Sequence, residues 1–108
     1  MRILLIAACC LAAVLPLCGW GQAVPVPRPS RLGLCAACHG ETGQAGVAGA
    51  PNLAGQRLDY LRSALQQYRD GRRDAPVMRA AIGPVSNAEL DALARWYSAQ
   101  ATQPQAHP

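Results

Sequence analysis

Cys35-Ala36-Ala37-Cys38-His39-Gly40 is the stretch on which the rest of this 108-residue chain turns. Two thiols three positions apart, followed at once by an imidazole, have the spacing that attaches a c-type haem. One helical turn brings both sulfurs to the same side of the backbone, each within reach of one haem vinyl group. His39 then lies under the iron as its proximal ligand. Two other readings of a Cys-x-x-Cys pair compete. A thioredoxin-like dithiol sits at the end of a strand in a βαβ context, and no β-branched or aromatic run precedes Cys35. Half of a zinc site would need His39 and His107 as its other ligands, and His107 is the penultimate residue of a Pro-containing tail. The haem reading leaves the remaining sequence three tasks: to supply a sixth ligand, to cover the porphyrin faces, and to leave one edge reachable.

The N-terminus reads as a leader. Met1-Arg2 is a minimal basic start, Ile3 to Leu17 is apolar, and Gly21-Gln22-Ala23 offers the small residues a signal peptidase requires. A cut after Ala23 removes Cys9, Cys10 and Cys18 and leaves Cys35 and Cys38 as the only thiols, as an oxidising compartment favours. Export to the periplasm is therefore expected, with no permanent membrane span after cleavage. A retained leader would instead make Ile3–Trp20 a membrane anchor, close to the shortest useful span and interrupted by Pro16. A lipid-modified cysteine is disfavoured, because Leu17 before Cys18 is too large and Ala8 before Cys9 leaves too short an apolar run. The expected organisation is a signal peptide over 1–23, a Pro-rich lead-in over 24–29, one domain over 30–100 and a disordered tail over 101–108.

A domain of that size is short of core. It buries only about 60% of its unfolded surface, and a large flat apolar group would fill the missing centre. Every basic residue is arginine; lysine is absent. Without the leader, nine arginines stand against six acids, a balance of +3. That is too weak for nucleic-acid binding, and no basic stripe with interleaved aromatics appears.

Ser30 is placed to cap a short helix running through Arg31, Leu32 and Leu34 into the haem motif. Gly33 inside it implies either a close helix–helix contact or a merely tolerated glycine. From Gly40 to Gly55, five glycines and Pro51 mark a long loop without periodicity, expected to wrap the proximal edge of the porphyrin. Arg57 to Asp70 reads as an amphipathic helix with Leu58, Leu61, Leu65 and Tyr68 on one face, ended by Gly71. Arg72 to Pro84 reads as irregular, with a short helical turn at Arg79–Ile82. Ser86-Asn87-Ala88-Glu89 is a capping box opening a final helix whose apolar face is Leu90, Leu93, Ala94 and Tyr97, flanked by Trp96. No strand signal appears, and the domain is expected to be all-α.

Six-coordinate iron needs a donor on the far side of the ring. Outside the initiator Met78 is the only methionine, and outside the motif His107 is the only histidine. A thioether is a good neutral ligand that raises the potential relative to a second imidazole. Met78, read as part of an irregular segment between two helices, is the expected distal ligand; the alternative role for a lone methionine is gap-filling core.

Taken in order, Cys35 to Gly40, Gly43, Pro51-Asn52-Leu53-Ala54-Gly55-Gln56, Tyr60-Leu61, Gly71, Met78 and the Ser86–Tyr97 helix make the chain resemble the small bacterial class I cytochromes c. The likeness covers about residues 30 to 100. It implies three to five helices around one covalently attached haem c. It also implies that the Pro51 carbonyl accepts from the His39 ring N–H, that Leu53, Tyr60, Leu61 and Leu65 line the haem pocket, and that a crossing of first and last helices places Gly33 near Leu93 and Tyr97. The short, proline-preceded first helix departs from the family pattern. The resemblance implies a one-electron carrier without enzymatic activity, exchanging electrons with a membrane oxidoreductase, a terminal oxidase or a dedicated dehydrogenase. A haem subunit of such a dehydrogenase is the nearest alternative, and a haem enzyme acting on peroxide or a small gas is a further one.

Overall fold

The computed structural model describes residues 24–102, together with Gly19 and Gly21. The rest of the expected leader, with Cys9, Cys10 and Cys18, and residues 103–108, with His107, lie outside the described residues. Within them the chain forms four helices and no strand: α1 Leu32–His39, α2 Leu58–Arg69, α3 Pro76–Ile82 and α4 Asn87–Ser98.

Helix α1 uses the haem motif's own spacing to bury one side. Leu32, Cys35, Ala36 and His39 recur at helical intervals; Leu32 is completely buried, and Cys35 and Ala36 pack against the core. Its start differs from expectation. Arg31, not Ser30, occupies the N-cap, and no side chain caps the helix. Instead Pro29, itself buried, accepts from the Leu32 N–H through its carbonyl at 3.2 Å. The proposed crowding at Gly33 is absent, for a Cβ built there meets nothing within 4 Å. The neighbouring Leu32 enters the core instead, as a member of the cluster that includes Leu93, Ala94 and Tyr97 of α4. A one-residue error in helical phase turns a side chain by about 100°.

The loop from Gly40 to Arg57 is closed on itself. Gly43 has φ 85°, and its carbonyl accepts from both Leu53 N (2.8 Å) and Ala54 N (3.2 Å). A Cβ at Gly43 would collide with the Ala54 backbone, so only glycine permits this crossing. Helix α2 then packs against both α3 and α4. Its Leu61 and Ala64 are buried, while Leu58, Leu65 and Tyr68 flank the core.

The segment before α4 is more regular than its sequence implies. Pro76 opens a seven-residue helix, so Met78 lies in the first turn of α3 and not in irregular chain. Proline is pre-set for the first helical position, and the extended Ala75 before it (φ −146°) is what an X-Pro step favours. Helix α4 carries the expected capping box: Ser86 Oγ accepts from Glu89 N at 3.2 Å, and the Glu89 carboxylate accepts from Ser86 N at 2.8 Å. Leu90, Leu93, Ala94 and Tyr97 are all buried, as their spacing predicts. Ile82, the last residue of α3, and Val85, in the turn that follows, complete the core.

Candidate haem-attachment site

Cys35 and Cys38 are free thiols one turn apart on α1, both half-buried. Burial pushes the Cys35 thiol up from its ordinary range, so it stays protonated at neutral pH when unattached. His39 is buried at the end of the same helix, and its Nδ1 lies 2.9 Å from the Pro51 carbonyl oxygen. A carbonyl only accepts, so Nδ1 carries the proton and Nε2 keeps its lone pair for a metal. The hydrogen bond that the family resemblance implies is therefore present, and it fixes both ring orientation and tautomer.

The donor set fits a covalently attached haem. It offers two unpaired thiols at the right spacing, an imidazole with its outer nitrogen satisfied, and a thioether on the same core. Cys35, Leu53, Leu61, Leu65 and Met78 all belong to or pack against one apolar cluster, which draws residues from α1, the loop, α2 and α3 to a single centre. Tyr60 is not part of that cluster. It is 44% exposed, and Arg73 lies over its ring at 5.6 Å while also lying 5.4 Å from the Tyr68 ring. No group of three or more His, Cys, Asp or Glu side chains able to hold a metal ion occurs among the described residues.

The last helix secures the motif from behind. Tyr97 Oη donates to the Gly40 carbonyl at 2.9 Å, Trp96 Nε1 donates to the Glu41 carbonyl at 2.7 Å, and Gly55 N donates to the Tyr97 carbonyl at 3.0 Å. Burial, with the Glu41 carboxylate adding to it, pushes the Tyr97 phenol well above its ordinary range, so it remains a donor at any physiological pH. Sequence reading missed these ties. Two aromatics with polar tips on consecutive positions of an otherwise apolar face were the available signal.

Among the described residues no helix is long and apolar enough to cross a membrane. The family model described as "Cytochrome C oxidase, cbb3-type, subunit III" matches residues 33–96. The chain is 38% identical over 73 residues to cytochrome c-554(548) of Halomonas halodenitrificans, covering 65% of this chain and 88% of that protein. It is 41% identical over 71 residues to a "thiosulfate dehydrogenase electron acceptor" of Thiomonas intermedia, covering 65% of this chain and 33% of that protein. It is 30% identical over 71 residues to cytochrome c4 of Pseudomonas aeruginosa, covering 66% of this chain and 35% of that protein. The matched region thus spans most of the first relative and about a third of the other two. The motif, the all-α fold and these likenesses agree: the chain belongs to the cytochrome c family, as a small electron-carrying protein with one covalently bound haem c.

Proposed function

We propose that this cytochrome is a periplasmic one-electron carrier with His39 and Met78 as axial ligands and thioether bonds at Cys35 and Cys38. The leader over 1–23 is cleaved, and residues 30–100 form the redox domain. The observation that carries this reading is the buried His39, whose Nδ1 is committed to Pro51 and whose Nε2 is thereby left as a metal donor. When bound, the haem supplies a ferric–ferrous couple. The protein's own residues do the rest. Pro51 holds the imidazole in one tautomer, Leu53, Leu61 and Leu65 exclude water, Tyr60 borders the pocket at its exposed side, and Met78 closes the iron against exogenous ligands. No proton moves in that scheme and no substrate-binding position is left open, which is why the protein is read as a carrier and not an enzyme.

Its partners are redox proteins on both sides of the transfer: a dehydrogenase or membrane oxidoreductase as donor and a terminal oxidase as acceptor. The relative named as an electron acceptor of thiosulfate dehydrogenase favours a second, compatible reading in which the donor is one dedicated periplasmic dehydrogenase. The haem-loaded ferrous protein should be reoxidised rapidly by a small redox mediator, react slowly with peroxide and bind carbon monoxide poorly at neutral pH. Rapid multiple turnovers with peroxide, or immediate carbon monoxide binding, would mean an open sixth position and an enzyme.

A further inference from the structure

Arg69 ends α2 with its guanidinium turned toward α3 and α4. Nη2 donates to the carbonyls of Ile82 (3.1 Å) and Val85, and Nη1 donates to Asn87 Oδ1. One side chain thus ties α2 to the last residue of α3, to the turn that follows and to the first residue of α4. The two carbonyl contacts are partly buried and the Asn87 contact exposed, and charge-assisted bonds to carbonyls are strong where water is partly excluded.

Helix α3 has little else to fix it. It is seven residues long, and Ile82 is its only buried residue. Met78 lies four positions before Ile82, one turn away on the same face, and packs against the core. A helix this short does not hold its own position. Whatever fixes Ile82 therefore fixes the direction of Met78.

From this geometry we infer that Arg69 is the positioning residue for the distal ligand: its fork, Nη2 on the Ile82 and Val85 carbonyls and Nη1 on Asn87, keeps α3 on α2, and so keeps the Met78 sulfur on the iron. The inference rests on Met78 being that ligand. Arginine suits the task because it presents several donors in a planar fork and never loses its charge. Loss of the fork frees α3 to move away while α1, α2 and α4 stay packed.

The test uses haem-loaded ferric protein titrated with imidazole at neutral pH, following the methionine-to-iron charge-transfer band. Arg69→Leu should bind imidazole at least tenfold more tightly than wild type, with faster amide exchange across Met78–Ile82. Arg69→Lys, which keeps a charge and rotatable donors but not the fork, should fall between. Asp91→Asn, which removes exposed ion pairs of α4 away from the haem cluster, controls for general destabilisation and should bind imidazole like wild type. If Arg69→Leu binds no more tightly than Asp91→Asn, the positioning role is wrong. Failure of the underlying ligand assignment looks different: wild type would lack the band, and Met78→Ala would leave imidazole affinity unchanged.

Discussion

At the scale of single residues, the site rests on donors whose alternatives have been removed. Pro51 occupies one nitrogen of His39 and leaves the other; the sequence holds one methionine beyond the initiator. Met78→Ala should therefore abolish the charge-transfer band of the ferric form, lower the potential and raise imidazole affinity by at least about tenfold, or ~1.4 kcal/mol. His107→Ala should change none of these, and the reverse pattern would establish bis-histidine ligation. The motif and its proline partner were legible because spacing and chemistry coincide there. Arg69 and Arg73 were not. Arg69 reads as a polar-face residue of an amphipathic helix and Arg73 as part of an irregular segment, and only the tertiary fold shows one clamping backbone carbonyls and the other lying between two tyrosines.

Among the elements, α4 is the one most fully specified locally. Its capping box and its four buried apolar positions agree with each other and with the fold. Ser86→Ala removes one reciprocal bond and should cost about 1 kcal/mol. For a domain of this size that is a fall of about 4–8 °C in melting temperature, read by circular dichroism on the haem-loaded protein. An unchanged melt would show that the cap is replaced by solvent. Helix α3 stands at the other extreme. Its sequence, Pro76-Val77-Met78-Arg79-Ala80-Ala81-Ile82, has Val77 77% exposed and too few turns to show a period. Its first turn was legible only through Pro76, which starts helices as readily as it interrupts them. In α1 the sequence left Gly33 either a close contact or a tolerated glycine, and the structure shows the second: the space beside it is open, and the adjacent Leu32 is the residue that enters the core.

At the scale of the whole molecule, two ion pairs tie helices together, Arg62–Asp91 between α2 and α4 and Arg31–Glu89 between the start of α1 and α4. Asp91 on α4 accepts from Arg62 of α2 at 2.6 Å and from Arg95 at 2.8 Å, and these bonds hold its carboxyl down to about 2. Glu89 is lowered too, first by the Ser86 backbone and then by Arg31 beside α1. Carboxyls depressed in the folded state favour folding above their unfolded pKa, near 4. That contribution is lost as pH falls from about 4 toward 2, because the unfolded chain takes up protons first. Melting temperature should fall over that window, and less steeply in Asp91→Asn. The pairs are exposed, so salt should blunt the effect. At the alkaline end the absence of lysine matters: no side-chain amine is available to take the place proposed for Met78 on the iron, and arginine does not deprotonate. Any alkaline form should carry hydroxide, the terminal amine or His107. Magnetic resonance showing an amine on the iron after terminal acetylation in His107→Ala would contradict this.

The bonds from Trp96 and Tyr97 back to Glu41 and Gly40 span 55 and 57 residues. On the export proposed above, a chain crossing the membrane N-terminus first presents Cys35 and Cys38 well before α4. Contacts of such sequence separation form late. The attachment segment therefore passes through a stage in which nothing covers it from behind, and a ligase can grip it as an open peptide. Arrival of the last helix then ends that access and seals the cofactor in, so the order of synthesis itself times the maturation of the protein.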